Sequence, residues 1–266
     1  MDLEKLCSQV QEIARKTGRF IVEERMKFTR EDIISKGKSD FVTYVDKTSE
    51  KKIVTGLKTI LPEAGFIAEE GTAGDSGEQY RWVIDPLDGT TNYIHGLSPF
   101  AVSIGLLDGD EVILGVVYEI SLDEMFYAWK GSKAFCNDRE IRVSAAKTSA
   151  DALIATGFPY YDFSMLPKYM EAMDFFMRNS HGLRRLGSAA ADLVYVAAGR
   201  FEAFYEHALH AWDVAAGTII LKQAGGRICD FNGGNNYVFG GELIASNANY
   251  FDEFYAIVNK HLGTQN

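Results

Sequence analysis

One stretch of this 266-residue chain concentrates its chemistry: Trp82-Val83-Ile84-Asp85-Pro86-Leu87-Asp88-Gly89-Thr90-Thr91. An apolar run leads into Asp85, as expected of a buried strand. Pro86 has no N–H to donate and is expected to end that strand's ladder. Asp85 and Asp88 then stand close together on a rigid turn, with the Leu87 carbonyl between them. Carboxylates and a carbonyl are hard oxygen donors, which suit Mg²⁺ better than zinc or copper. Thr90 and Thr91 fall where a helix can begin, and the free N–H groups of a first turn hold anions. The plainer alternative is an ordinary acidic turn capped by Asp and Thr.

Further acids lie elsewhere. Phe66-Ile67-Ala68-Glu69-Glu70 is an apolar run ending in two carboxylates, so at least one is a candidate ligand. Asp46 follows Phe41–Val45, an expected short strand, and precedes an expected helix from Lys47 to Ile60; it reads as an N-cap. Asp213, in Trp212-Asp213-Val214-Ala215-Ala216-Gly217, reads as an N-cap on the same grounds. Buried carboxylates without partners are costly, so a cluster of Glu69, Asp85, Asp88 and Asp213 would need cations, and the cations would create a phosphate site. His95, alone in a loop, reads as solvated.

The elements that must position these groups show in the hydropathy pattern. Residues 2 to about 28 have helical spacing. Gly65–Ala68 is extended, and a polar, glycine-rich loop follows Glu70. The runs 100–107, 111–118, 125–129 and 140–143 alternate between short turns and predict an antiparallel meander. After about residue 145 the pattern changes to strands alternating with helices, which implies layered α/β structure. Here Gly187-Ser188-Ala189-Ala190 opens a helix, with Ser188 as its cap, and a helix runs from Asp213 to Ala224.

Composition bounds the function. Apolar residues make up 47% and charged residues 24%, an ordinary globular balance, while the net charge of −10 disfavours nucleic acid. There is no basic run; Arg184-Arg185 is only a pair. No apolar stretch approaches the roughly 20 residues needed to span a bilayer, and no signal peptide is read at Met1–Lys5. Cys7, Cys136 and Cys229 are too scattered for a metal motif and read as free thiols in a reducing cytoplasm.

Asp85-Pro86-Leu87-Asp88-Gly89-Thr90-Thr91-Asn92 resembles the central signature of the inositol monophosphatase family of Mg²⁺-dependent, lithium-sensitive phosphatases. Phe66–Glu70 resembles the family's acidic pair and Trp212–Gly217 its second signature, in the same order and at similar spacing. Matches run from about Lys36 to about Ser246. The resemblance implies an α/β (α+β) fold, a layered αβαβα sandwich of the sugar-phosphatase type. Its N-terminal meander lobe would span residues 1–145 and its C-terminal α/β lobe 146–266.

The resemblance also assigns roles. Glu69, Asp85 and the Leu87 carbonyl would bind a first Mg²⁺, and Asp85, Asp88 and Asp213 a second. Glu69 would support a weak third, and Mn²⁺ is a substitute. Thr90, beside Asp46, would orient and deprotonate a metal-activated water for in-line attack on phosphorus. Asp88 and the Gly89 and Thr90 N–H groups would face the phosphate. Gly187, Ser188, Ala189 and Glu206 would bind the alcohol's hydroxyls, with Ser188 where the family has threonine. Lys36 and Glu70 are further candidates. The implied substrate is inositol monophosphate. Gly157-Phe158-Pro159-Tyr160 departs from the animal enzymes and is similar to bacterial members, which keeps fructose 1,6-bisphosphate and other small sugar or alcohol phosphates open. A regulatory protein-binding scaffold is the alternative of another class. A homodimer is expected, paired through the meander around Phe126 and Trp129.

Overall fold

The computed structural model describes residues 1–27, 38–71, 79–158 and 163–264, with backbone alone for 38–43. Helix α1 (Leu3–Met26) starts where the Asp2 side chain accepts from the Lys5 N–H at 3.0 Å. Its buried residues, Leu6, Val10, Ala14 and Ile21, recur at helical spacing and pack on α2 (Lys38–Ile60).

Helix α2 corrects the sequence reading. The stretch Phe41–Val45, rich in β-branched and aromatic residues, is helical rather than a strand, and Asp46 lies inside the helix rather than capping it. Strand propensity is a weak preference that packing overrides. In helical register Val45, Ile53 and Leu57 share one buried face against α1, a gain that a short strand here would forfeit.

Seven strands form the first sheet in chain order: β1 (Gly65–Ala68), β2 (Tyr80–Asp88), β3 (Ala101–Asp108), β4 (Glu111–Glu119), β5 (Glu124–Trp129), β6 (Ala134–Cys136) and β7 (Arg139–Ile141). β1 and β2 are parallel and the rest antiparallel, as the meander predicts. β6 is an addition to the expected runs. Asn137 and Asp138, at φ 46° and 64°, make the tight turn that joins it to β7. The short helix α3 (Thr90–His95) follows β2.

The second sheet has the order β11-β12-β10-β8-β9, from β8 (Leu153–Thr156), β9 (Gly182–Arg184), β10 (Ala203–His207), β11 (Gly226–Cys229) and β12 (Glu242–Asn247). Helices α4 (Leu166–Asn179) and α7 (Phe251–Leu262) cover its outer face. Helices α5 (Ala189–Ala197) and α6 (Ala211–Gln223) lie between the sheets, where Val117 and Phe126 of the first meet Phe204 and Ala245 of the second. The layers therefore run α1/α2, sheet, α5/α6, sheet, α4/α7, the expected αβαβα sandwich. Phe126 is wholly buried in that middle layer and Trp129 is half-buried, stacked on Phe135, so this pair does not form the exposed pairing surface expected of the meander.

One packing detail positions the site. Gly105 on β3 and Gly115 on β4 are cross-strand partners directly beneath Ala215 and Ala216 of α6. A Cβ on Gly115 would strike the Ala216 carbonyl. Two facing glycines therefore let the α6 backbone lie almost on the sheet, which brings its first turn to the end of β2. The Ser103 hydroxyl, on the β3 residue paired with Asp85, donates to the Trp212 carbonyl at 3.2 Å and ties that turn down. No helix among the described residues is long and apolar enough to cross a membrane.

Candidate active site

The two aspartates of the central stretch share a face because β2 is bulged. Residues three apart on a regular strand point to opposite faces. Here Asp85 pairs with Ser103 and Asp88 with Ala101, so β2 carries one residue more than β3 across this step. Pro86 sits in the bulge, where no ladder N–H is required, and the strand runs on through it to Asp88 instead of ending there. The Leu87 N–H turns back to Asp85 Oδ1 at 2.9 Å. In the parallel β1–β2 pair Ala68 lies beside Ile84, so the next residues, Glu69 and Asp85, are neighbours at the strand ends and their carboxyl groups hydrogen-bond.

Two helix starts complete the group. At α5, Ser188 Oγ donates to Asp88 Oδ2 at 2.6 Å and the Ala190 N–H donates to the same oxygen at 2.7 Å. At α6 the cap is His210, not Asp213, which sits at the third helical position and accepts from the His210 N–H at 2.6 Å in a capping box. This corrects the N-cap reading of Asp213, whose carboxyl is set one turn deeper and faces Asp88.

Each acid resists ionisation. Burial, then the like charges around it, raises Glu69 to about 7, Asp88 to about 7 and Asp213 to about 7. Asp85 is held well above the usual carboxylate range by the same causes, and Asp46 is pushed up to about 8 by burial and by Glu70 and Glu69. Among the described residues no three such groups are already gathered at metal-ligand geometry. Two carboxyl groups that hydrogen-bond, as Glu69 and Asp85 do, must share a proton, and a cation is its charge-balanced replacement. Four carboxyl groups and a carbonyl at one strand end fit a hard divalent ion such as Mg²⁺.

The Thr90 hydroxyl donates to the Leu87 carbonyl at 2.9 Å; no hydrogen bond joins it to Asp46 among the described residues. Glu70 is held from behind, its N–H donating to Glu50 Oε2 at 2.7 Å. Lys36 lies outside the described residues. Gly89 adopts φ 88° and begins α3 with no side-chain cap. Asn92 donates to the carbonyls of Pro99 and Leu186 at 2.8 and 2.7 Å, joining α3 to the wall that bears Gly187.

Glu69, Asp88, Gly89, Thr90 and Asp213 line an open cleft of about 530 Å³ together with Gly187, Ser188, Ala189 and Glu206. That volume lies within the range of small-molecule sites. Burial raises Glu206 to about 8, opposed by the nearby Arg185 charge. Arg185, Phe158, His207 and His210 also line the cleft and were not among the candidates from sequence. Arg185 carried one legible signal, its place two residues before the Gly187-Ser188 helix start.

Comparison with known proteins identifies the family. The model of the inositol monophosphatase family matches residues 2–262. An inositol-1-monophosphatase of Mesorhizobium japonicum is 37% identical over 91% of this chain and 91% of its own length. The Nus factor SuhB of Pasteurella multocida is 39% identical over 88% of each chain. Among solved structures, an extragenic suppressor protein suhB from Bartonella henselae superposes with a TM-score of 0.86 at 35% identity, covering 97% of this chain and 100% of its own. The Thermotoga maritima IMPase gives 0.84 at 34% identity, covering 97% and 98%. The chain belongs to the inositol monophosphatase family and is a phosphoric monoester hydrolase of that type.

Proposed function

We propose that this enzyme is a Mg²⁺-dependent phosphomonoesterase that hydrolyses inositol monophosphate to inositol and phosphate. The carrying observation is the convergence of Glu69, Asp85, Asp88 and Asp213, from three separate segments, beside the start of α3, which has no side-chain cap. Glu69, Asp85 and the Leu87 carbonyl would hold one Mg²⁺ and Asp85, Asp88 and Asp213 another. When bound, these ions neutralise the carboxylates, draw in the phosphate and acidify the attacking water.

The chain does the rest. The Gly89 and Thr90 N–H groups, at a helix start with no side-chain cap, hold phosphate oxygens. Thr90 steadies the Leu87 carbonyl. Asp46, whose carboxyl is pushed up by burial and by the neighbouring Glu70 and Glu69, is the group that takes the proton. Glu206, in the wall of the same cleft, accepts from the alcohol's hydroxyls.

The test ranks inositol 1-phosphate, fructose 1,6-bisphosphate and glycerol 2-phosphate by kcat/KM with Mg²⁺, then repeats the assay in excess chelator. Inositol 1-phosphate should lead, chelator should abolish turnover, Mg²⁺ should restore it with Mn²⁺ as a substitute, and Li⁺ should inhibit. Full activity in chelator refutes the metal reading; preference for the bisphosphate moves the substrate to the sugar-phosphate alternative.

A further inference from the structure

We propose that Arg185 determines specificity in the cleft: Arg185 and Glu206 together read two neighbouring hydroxyls of an uncharged polyol, Arg185 donating to one and Glu206 accepting from the other. This rests on the phosphatase reading above and assigns a substrate-selecting role to a residue outside the metal cluster.

Arg185 follows β9 and precedes the turn at Gly187, which has φ 89° and sends the chain into α5. The reversal turns the side chain into the cleft, where it lines the wall with Phe158, Ser188 and Glu206. Its guanidinium carbon lies 5.5 Å over the Phe158 ring. Two missing side chains make room for the pair. A Cβ on Gly187 would collide with Arg185 Nη1, and a Cβ on Gly157 would overlap the Glu206 carboxylate. Arg185 is half-buried in the wall of the cleft, and its charge acts on Glu206, on the wholly buried Asp192 and on the Tyr169 phenol.

Charge decides what the pair can bind. Asp88, Asp192, Glu206 and Asp213 surround this side of the cleft, and the donors at the start of α5 are already taken by Asp88. A second phosphate would meet one guanidinium and several carboxyl groups, and a hydroxyl meets neither obstacle. A guanidinium only donates, the Glu206 carboxyl offers an acceptor oxygen whether or not it holds a proton, and a hydroxyl does both, so adjacent hydroxyls can meet the two side chains at once.

The experiment measures kcat/KM for inositol 1-phosphate and for phenyl phosphate, whose alcohol bears no further hydroxyl, on the full chain with saturating Mg²⁺. Arg185→Ala should lower the inositol-to-phenyl ratio about tenfold or more, the loss of a charge-assisted hydrogen bond, mainly through KM. Arg185→Lys, which keeps the charge without the fork, should recover part of the ratio. Arg178→Ala, which removes an exposed charge paired with Asp174 on α4, should keep the wild-type ratio. An unchanged ratio in Arg185→Ala overturns the proposal; if that variant does not fold, an unchanged ratio in Arg185→Lys does so. A larger loss on fructose 1,6-bisphosphate than on inositol 1-phosphate also overturns it, in favour of a second anion. No turnover of any ester by the wild type sinks the phosphatase reading and this inference with it, whereas an unchanged ratio in an active enzyme sinks the inference alone.

Discussion

Helices α3 and α5 both begin at the cleft, and their first turns are used in opposite ways. α5 is capped by Ser188, which accepts from the Ala191 N–H, while Ser188 and Ala190 donate to Asp88. Its positive end is spent on a carboxylate of the protein itself. α3 begins at Gly89 in the left-handed region with no side-chain cap, so its donors remain for an anion from outside. Gly89 also lies tight against Pro99 and Phe100: a Cβ there would sit 2.9 Å from the Pro99 carbonyl oxygen. One start is occupied by a carboxylate of the chain and the other has no side-chain cap, and the residue type at the cap makes the difference.

The sharpest way to break this division is at α6, whose first turn combines both uses. Asp213→Asn keeps an oxygen that can accept from His210, so the capping box survives. It removes the charge that would attract a cation. Activity should fall by about 10³-fold or more, the scale of losing several kcal/mol of Lewis-acid stabilisation. The melting temperature in chelator should stay level or rise, because one of several mutually repelling acids is gone. Wild-type turnover and Mg²⁺ response in this variant would reduce Asp213 to its part in the capping box with His210.

A second, smaller effect is set by the whole acidic end. Asp88 moves from 3.8 to about 7, Asp213 from 3.8 to about 7 and Asp46 from 3.8 to about 8. Acids whose values rise on folding bind more protons folded than unfolded, so stability falls as pH rises. The loss begins above the unfolded values near 4 and is complete above about 8. Thermal melts in chelator should therefore drop steadily between about pH 5 and 8, and Mg²⁺ should flatten the curve by supplying the missing positive charge. A flat curve in chelator would mean the cluster is less crowded than its geometry shows.

The same contrast explains what could be read from sequence. Asp85, Asp88, Gly89 and Thr90 are legible as one group because they lie within a single short stretch, and the resemblance to the family signature attaches the chemistry to them. The bulge that aims both acids the same way is not legible, since Pro86 reads as the end of a ladder until β3 is seen pairing on both sides of it. Over Phe41–Val45 the strand-like composition gives way to helix, where Val45 continues the buried face of Ile53 and Leu57. Arg185 passed as half of an unremarkable basic pair. Its place in the cleft is fixed by Gly187, Phe158 and Glu206, which meet only in the folded chain.

The finest test of the comparison is Ser188, where support and reaction can be told apart. Ser188→Ala removes the α5 cap and one of the two donors to Asp88, and it leaves the Ala190 N–H in place. Loss of an N-cap is worth about 1 kcal/mol. The hydrogen bond from Ser188 favours the ionised form of Asp88, so without it Asp88 holds its proton to a higher pH than about 7. A cation must then displace that proton more often. The Mg²⁺ needed for half-activation should rise a few-fold, and the acid limb of the pH–activity profile should move to higher pH. Saturating Mg²⁺ at pH 8 should restore most of the turnover. Ser188→Thr keeps the hydroxyl and should change little. If Ser188→Ala instead loses activity on the scale of Asp213→Asn, with no recovery at high Mg²⁺ and pH, then the α5 start takes part in the reaction itself and is not the support that its bonds to Asp88 describe.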